Sequence, residues 1–440
     1  MQSVGSGRKR RVLLVAAVAT LSLVAAACGG GDDGGDGSGG SSSSGGVTDG
    51  QGGGTPVQGG TVAYGLEAEN DQGWCLPEVA LPMSGIQVAR TIYDTLTAPN
   101  EKGEFVPFLA KSVTPNATFD SWVIELREGV KFHDGSDLTA EVVKNNLDAY
   151  RGQYPGRNAL IASFVLGNIA SVEVTGPLSV RVTTKTPWKA LPSVLYYSGR
   201  AGVMAQAQLD NAESCDRELI GTGPFKLEEW RQNEALTTVR NEDYWQTDAD
   251  GNQLPYLDGI EYRPITEGSA RLNGVLADEL QAMHTTRGEQ MEELRIATED
   301  GLVNSFESDK FAEVAFGLLN TSKPPFDNKD CRLAAITAVD RDALNEASNL
   351  GFTQVANGPF APGNMGFLED TGYPDHDDDA AKEFAAACKE AIGEDLSFVL
   401  TVANDSDTTS TGQLIQAMAK EVGVAVELNP DPQSELIDRA

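Results

Sequence analysis

The N-terminal 60 residues constrain the fold most. They cannot contribute to a folded core, so the folded part of the protein must begin after them. Residues 8–11 are four consecutive basic residues, and an unbroken run of apolar and small residues follows from Val12 to Ala27. This run has 16 residues, whereas a helix that spans a bilayer needs about 20. A basic start and a short apolar stretch are typical of an export signal. We therefore predict that residues 1–27 are a signal peptide and that the protein acts outside the cytoplasm.

The end of this run resembles the processing site of bacterial lipoproteins. Its last residues are Ala25-Ala26-Ala27-Cys28, and in that class the cysteine becomes the first residue of the mature chain and carries the lipid. Lipoproteins usually have leucine where Ala25 stands, so cleavage to a plain secreted protein is the alternative. The resemblance implies lipidation of Cys28 and an anchor on the outer face of the cytoplasmic membrane, as in Gram-positive bacteria.

Residues 28–60 are rich in glycine, serine and aspartate. Such a segment has too little apolar surface to offset the entropy lost on ordering, so we predict a flexible tether of the Gly/Ser type. A disordered tail without a function is the alternative. A lipid, a tether and then a folded body is the order expected of a protein that works beside a membrane.

The charge balance argues against one class of partner. The chain has 33 basic and 65 acidic residues, a formal net charge of -32, whereas nucleic-acid binding needs clustered lysine and arginine. The remaining length is enough for two or three domains with a sizeable core. We predict a protein that binds no nucleic acid.

Four cysteines remain after Cys28, and outside the cytoplasm an even number permits two disulfides in any of three pairings. They are Cys75, Cys215, Cys331 and Cys388. No two have CxxC spacing, and no histidine lies within ten residues of any of them. We therefore predict no metal site. A buried thiol is the alternative for Cys388, because it shares a helical face with Ala381, Phe384, Ala385 and Ile392.

The folded body alternates short strand and helix patterns, which predicts an α/β fold. Val62, Tyr64 and Leu66 alternate with smaller residues as in a strand, a turn-rich stretch follows, and residues 86–96 have a helical pattern. The sequence contains no phosphate-binding loop, GxSxG elbow or HExxH motif. Since no nucleophile and base stand together either, we predict a protein that is not an enzyme and has no cofactor.

The segment LREGVKFHDG, residues 126–135, places His133 beside Asp134. It follows a strand pattern in which Trp122, Ile124 and Leu126 share one face. Asp134-Gly135 predicts a tight turn. Neighbouring strand residues point to opposite faces, so we interpret His133 as a residue that helps fix the turn and not as a catalytic group.

The next helix pattern begins after Thr139, which we predict as its N-cap, with Glu141 in the first turn, where a helix favours an acid. Val143, Leu147 and Tyr150 then form an apolar stripe. A strand, a tight turn and a capped helix follow one another here. We therefore interpret this region as a structural part of the fold and not as a functional site.

This region and four later segments resemble the extracellular solute-binding proteins of family 5, the oligopeptide, dipeptide and nickel receptors of ABC importers. The segments, in order, are FVPFLAKSVTPNATFDSWVIELREGVKFHDGSDLTAEVVKNNL, GTGPFKLEEW, RNEDYW, YLDGIEYRPI and NTSKPPFDNKDCRLAAITAVDRDAL. The resemblance extends over about residues 60–440. It implies a two-lobed periplasmic-binding-protein-like fold with mixed sheets, a hinge between the lobes and an extra domain.

The resemblance also implies domain boundaries and a disulfide pairing. Domain I would comprise residues 61–96 and 213–300, domain II residues 97–212 and domain III residues 301–440. Family members continue well past the point that matches SELIDRA, so domain III is expected to be incomplete. A Cys75–Cys215 bridge would join the two segments of domain I, and a Cys331–Cys388 bridge would lie within domain III.

The implied function is capture of peptides and their delivery to an ABC permease by a monomeric receptor. From the family we expect ligand contacts after the first strand and in a domain III loop, at Trp74, Leu81, Met83, Ser84, Asn357 and Phe360. The alternatives are a receptor for a nickel complex, an oligosaccharide or an opine, and an exported hydrolase.

Overall fold

A computed structural model describes residues 56–70, 72–307, 314–404 and 406–431 of the chain. The predicted signal peptide, the lipidation site Cys28 and residues 28–55 of the predicted tether lie outside the described residues. Within them, no helix combines the length and the apolar character that crossing a membrane requires.

The strands of the described residues are β1 Thr61–Leu66, β2 Thr97–Pro99, β3 Phe105–Pro107, β4 Ala110–Pro115, β5 Ser121–Leu126, β6 Ile169–Gly176, β7 Ser179–Thr184, β8 Phe225–Arg231, β9 Ala235–Arg240, β10 Gly259–Pro264, β11 Ala282–Met283, β12 Ser397–Ala403 and β13 Ala425–Asp431. The helices are α1 Met83–Ile92, α2 Ala140–Tyr150, α3 Ile161–Val165, α4 Leu191–Val194, α5 Gln206–Asp210, α6 Gly268–Leu276, α7 Gly288–Glu299, α8 Lys329–Thr337, α9 Arg341–Asn349, α10 Asp378–Ile392 and α11 Ser406–Glu421. Short 3₁₀ turns span Leu76–Glu78 and Tyr197–Gly199.

The larger sheet has the strand order β11-β1-β10-β9-β8. β1 pairs in parallel with both β10 and β11, whereas β9 is antiparallel to β10 and β8. The predicted alternation in β1 is only partly present: Leu66 is buried, but Val62 and Tyr64 are half-buried and Ala63 is buried. The reason is that the face of this inner strand that carries Ala63 and Gly65 is also covered. A side chain at Gly65 would lie 2.9 Å from Leu280.

The second sheet has the order β4-β5-β7-β6 and packs against α2. As predicted, Trp122, Ile124 and Leu126 of β5 are buried on one face. α2 begins where expected, because the Thr139 side chain accepts a hydrogen bond from the Val142 amide at 3.3 Å. Its predicted apolar stripe of Val143, Leu147 and Tyr150 is buried. Buried side chains of both sheets form one hydrophobic cluster, which we call the first core.

α1 differs from the predicted helical pattern at both ends. It begins at Met83, because Pro82 is extended and serves as the N-cap residue. It ends at Ile92 because the GTGPF segment packs against its last turn, and the Gly223 amide donates to the Ile92 carbonyl at 2.9 Å. A Cβ at Gly221 would lie 2.0 Å from that carbonyl oxygen. The glycines of this segment therefore permit a close backbone approach.

The C-terminal described residues build a smaller second core from α8, α10, α11, β12 and β13, with Leu396 and Val424 among its buried side chains. The parallel pair β12-β13 forms a sheet of its own. α8 ends at Thr337, and Asp340 caps α9 by accepting from the Ala343 amide.

Two disulfides join distant parts of the chain. Cys75 is bonded to Cys215, with a sequence separation of 140, and Cys331 to Cys388, with a separation of 57. This is the pairing that the family resemblance favoured. Cys388 is buried in α10, as its spacing indicated, but the alternative of a buried thiol is wrong because its sulfur is bonded to Cys331.

Candidate functional site

The carboxyl ends of three parallel strands meet at one edge of the larger sheet, where β11, β1 and β10 are neighbours. Glu67 directly follows β1, His284 directly follows β11, and the chain after β10 enters α6, which carries Arg271. Ligands of sheet proteins with parallel strands bind outside the carboxyl ends of those strands. Strand pairing thus brings together three polar side chains that are far apart in sequence.

Glu67, Arg271, His284 and Arg287 form what we call the carboxyl-edge cluster. Glu67 Oε1 lies 3.6 Å from Arg271 Nη2 and 3.7 Å from His284 Nδ1. Burial raises the pKa of Glu67, but the facing His284, Arg271 and Arg287 outweigh that effect, so the net pKa is lowered. Glu67 is therefore a carboxylate at neutral pH.

Arg271 forms the floor of this cluster, with its side chain only 2% exposed. Its Nη1 donates to the carbonyls of Ile265 and Thr266, at 2.6 and 3.1 Å. Burial is the main influence on its pKa and lowers it, while Glu67 acts in the opposite direction. The backbone contacts fix the guanidinium in place, but its positive charge has no carboxylate within hydrogen-bonding distance among the contacts described.

A small cavity of about 10 Å³, room for a single water molecule, lies at the same edge on the opposite face of the sheet. Its lining includes Leu66, Ala68, Asn70, Trp74 and Ser84. The Ser84 hydroxyl accepts a hydrogen bond from the Ala68 amide at 3.1 Å, which ties the chain after β1 to α1. The cavity therefore lies between a strand end and a helix.

Of the residues predicted to contact ligand after the first strand, Trp74 and Ser84 line this cavity. Trp74 is 1% exposed and packs edge-on against Trp230. Leu81 is buried beside Gly85, and Met83 is exposed at the first position of α1. The turn-rich stretch after β1 is thus a packed segment, because a disulfide and the start of α1 hold it.

The two residues predicted in the domain III loop make contacts within that loop. Asn357 donates to the Glu369 carbonyl and its own carbonyl accepts from Thr371. Phe360 is exposed, and its ring lies against Gly366. These contacts shape the loop, and whether either side chain touches a solute stays a prediction.

The structure assigns His133 a different task from the predicted one. Its Nε2 donates to the Gly223 carbonyl at 2.9 Å and its Nδ1 accepts from the Gly221 amide at 3.3 Å. The turn itself is held by Asp134, which accepts from the Ser136 amide and hydroxyl. His133 therefore fastens the LREGVKFHDG segment to GTGPF, and burial lowers its pKa to about 4.

Asp94 is a buried carboxylate on the other side of the GTGPF segment that the sequence interpretation missed. It accepts from Thr222 Oγ1 at 3.0 Å and from Trp245 Nε1 at 2.8 Å, and Tyr244 faces it at 3.4 Å. Burial raises the pKa of Asp94 to about 6, although these hydrogen bonds act against the rise. The RNEDYW motif thus supplies donors for a buried acid.

The search for metal ligands within the described ranges finds no group of three or more histidine, cysteine, aspartate or glutamate side chains that could hold an ion. Glu67 could have been suspected from one signal, its position directly after the predicted first strand. Arg271 and His284 could not, because their proximity to Glu67 depends on the order of the strands in the sheet, and the sequence pattern does not contain that order.

Comparison with known proteins agrees with the fold. The family model described as bacterial extracellular solute-binding proteins, family 5 Middle, matches residues 104–439. The glutathione-binding protein GsiB of Salmonella paratyphi A is 29% identical over 310 residues, which cover 66% of this chain and 57% of that protein. The chain therefore spans little more than half the length of this curated relative.

Two solved structures share the architecture. The oligopeptide-binding protein AppA from Bacillus subtilis, in complex with a nonapeptide, matches with a TM-score of 0.68, 22% identity and coverage of 87% of this chain and 77% of that one. The protein AgaA from A. tumefaciens R10, in complex with agropinic acid, gives a TM-score of 0.72, 23% identity and coverage of 87% and 74%. The predicted α/β fold of this receptor family is thereby confirmed.

Proposed function

We propose that this chain, which belongs to the bacterial extracellular solute-binding proteins of family 5, captures a peptide or peptide-like solute for an ABC importer. The observation that carries the proposal is the convergence of Glu67, Arg271 and His284 at the carboxyl edge of β11-β1-β10. The names of its relatives support the solute class, since they include a glutathione-binding protein and an oligopeptide-binding protein. Glutathione is itself a tripeptide.

The mechanism that we propose is capture followed by delivery. A solute at the carboxyl edge would bridge the surrounding domains and stabilise the closed state by as much as its affinity for that state exceeds its affinity for the open one. The receptor with its solute would then dock on a membrane permease. Groups that hydrogen-bond an extended ligand through its main chain tolerate different side chains, which suits a receptor of broad specificity.

The remaining parts of the proposal follow the family. We propose a monomeric receptor without enzymatic activity, divided into domain I (61–96 and 213–300), domain II (97–212) and domain III (from 301). The first core already joins residues of proposed domains I and II, so we expect those two to move as one body. A signal peptide of residues 1–27 and a lipid on Cys28 would place the protein outside the cytoplasm, and its tether would leave it free to reach a permease.

Titration calorimetry of the full chain tests the proposal. We expect heat from glutathione or from a mixed tripeptide library, with both recovered chemically unchanged afterwards. Agropinic acid and a nickel–histidine complex serve as comparison solutes. Heat from one of these comparison solutes with none from peptides would contradict the peptide assignment, and cleavage of the added peptides would contradict the receptor assignment.

A further inference from the structure

We infer that an apolar groove at the amino edge of the larger sheet binds a small organic cation with an apolar body, such as a quaternary ammonium compound. We call it the amino-edge groove. It lies where β8 and β10 begin, and its walls include Phe225, Tyr244, Leu254, Tyr256 and Leu257. The inference goes beyond the proposed function and does not depend on it.

The amino-edge groove is far from the carboxyl-edge cluster. Just before β1, the Gly59 amide donates to the carbonyl of Tyr256, a residue of the groove, at 2.8 Å. Glu67 of the cluster directly follows the other end of β1. The strand has six residues, and since each adds about 3.3 Å, roughly 20 Å separate the two places. A ligand in the groove would therefore leave a solute at the carboxyl edge untouched.

The size and lining of the groove suit a small molecule with an apolar body. Its volume is about 370 Å³, within the range of about 300–1,000 Å³ that ligand pockets have. Among the residues that the structure describes, no charged side chain lines it. The one amide in its wall, Gln246, donates through Nε2 to the Tyr244 hydroxyl at 2.5 Å. The walls therefore consist mainly of aromatic rings and aliphatic side chains.

Both tyrosines of the groove donate their hydroxyl protons to carboxylates. The Tyr256 hydroxyl donates to Asp248 Oδ2 at 2.5 Å, and the Tyr244 hydroxyl faces Asp94 Oδ1 at 3.4 Å. The bond to Asp248 raises the pKa of Tyr256, so this phenol keeps its proton at neutral pH. Hydrogen bonds to an anion polarise the donor, which makes the ring faces more negative. Negative ring faces attract organic cations.

The protein does not supply this cation itself. Five rings in the described part of the chain carry a lysine or arginine over one face, and the rings of the groove are not among them. These five are Phe119, Tyr196, Tyr197, Trp245 and Tyr373. Arg240 does contact the groove segment, but only from behind, because it donates to the Tyr256 carbonyl at 2.9 Å and pairs with Asp258. The ring faces therefore stay accessible to an external cation.

The charge around the groove is negative and selects the kind of cation. Residues 241–258 contain five acids and no lysine or arginine. Asp248 is ionised at neutral pH, because the hydrogen bond from Tyr256 lowers its pKa to about 2. Asp250 and Glu242 are exposed nearby in sequence. Such a rim attracts a cation but repels a phosphate. We therefore assign the groove to a free organic cation and not to the phosphocholine headgroup of a lipid.

The test compares choline with 3,3-dimethylbutanol, in which a carbon atom replaces the charged nitrogen of choline. Saturation-transfer NMR titration of the full chain measures both affinities, with and without a mixed tripeptide library. A cation over an aromatic face is favoured over its neutral counterpart, so we expect choline to bind at least about fivefold tighter. The library should not change this preference. Equal affinities, or loss of choline binding when the library is added, would overturn the inference.

Variants of one ring locate the site. Tyr256→Leu should lower the preference for choline to below about twofold and leave the affinity for the alcohol nearly unchanged, because an apolar wall remains. Tyr256→Phe keeps the ring but loses the bond to Asp248, so it should retain part of the preference even if Tyr256→Leu does not fold. Full preference in both variants would contradict the assignment to this groove.

Tyr373→Leu is the matched control, because the guanidinium of Arg341 already lies 4.8 Å from the centre of that ring. This variant should keep the full preference for choline. Phosphocholine should bind more weakly than choline, and equal or tighter binding would contradict the assignment to a free cation. Choline binding by a chain that responds to no peptide would overturn the proposed function and leave this inference standing.

Discussion

The first and second cores differ in how completely the described residues surround them. The first core contains buried side chains of the four-stranded and the five-stranded sheet and of several helices. The second core has a two-stranded parallel sheet in which Val399 is 57% exposed, and α9 beside it buries no residue. Parallel strands normally have both faces covered. We therefore expect the stability of the second region to depend more strongly on its disulfide and its helix caps.

The largest expected effect is the loss of the second disulfide. In the chain-entropy description, closing a loop of 57 residues stabilises a fold by about 4 kcal/mol. Cys331→Ser combined with Cys388→Ser should therefore open α8, α10 and the β12-β13 pair while the first core stays closed. Amide hydrogen exchange measures this, as faster exchange confined to residues 329–431. Equal acceleration in β5 and α2 would show that the two cores unfold as one unit.

An intermediate effect is expected from the two buried groups that flank GTGPF in the first region. The pKa of Asp94 is raised to about 6 by burial, so the folded state holds a proton that the unfolded state releases, and this group adds stability as the pH falls from about 6 to 4. The pKa of His133 is lowered to about 4 by burial, so this group removes stability as the pH falls from about 6.5 to 4. The two contributions oppose each other.

Substitution of each group should expose the contribution of the other. Relative to the unaltered chain, His133→Gln should become more stable on acidification from pH 7 to 4.5, and Asp94→Asn less stable, each by on the order of 2 kcal/mol. Thermal unfolding at the two pH values measures the difference. Parallel pH profiles for the two variants would contradict the assignment, and His133→Gln should leave the affinity for solute at pH 7 nearly unchanged.

The smallest effect comes from a matched pair of helix caps. Thr139 caps α2 in the first region, and Asp377 caps α10 in the second by accepting from the Asp379 and Ala380 amides. Loss of such a cap costs about 1 kcal/mol. Thr139→Ala should lower the global unfolding temperature, whereas Asp377→Ala should raise only the local exchange rate of α10. If both variants showed the same pattern of amide exchange, the two regions would not differ in how they respond to the loss of a helix cap.

Much of the scaffold could be predicted because its signals are local. The strand at Trp122–Leu126 and the capped helix after Thr139 follow from a period of two, a turn dipeptide and a capping residue. The start and end of α1 could not be predicted in this way. They depend on Pro82 and on the packing of Gly221 and Gly223 against Ile92, residues that are about 130 positions away in sequence.

The candidate site was predicted less well than the fold. Trp74 and Ser84 line the small cavity as a region after the first strand would suggest, but Leu81 is buried. Glu67, Arg271 and His284 were not selected, because each is an ordinary polar residue in its own segment. Only the parallel pairing of β1 with β10 and β11 brings their neighbourhoods together.

By itself, the sequence determined the family, the α/β class and the alternation of strand, turn and helix, since hydrophobic period, caps and turn residues act over a few positions. The tertiary structure alone decided that His133 fastens GTGPF and not its own turn, that Asp94 is buried, and which charged side chains share the carboxyl edge. The physical reason is that burial and charge pairing depend on distances between atoms, and the spacing of residues along a chain does not specify those distances.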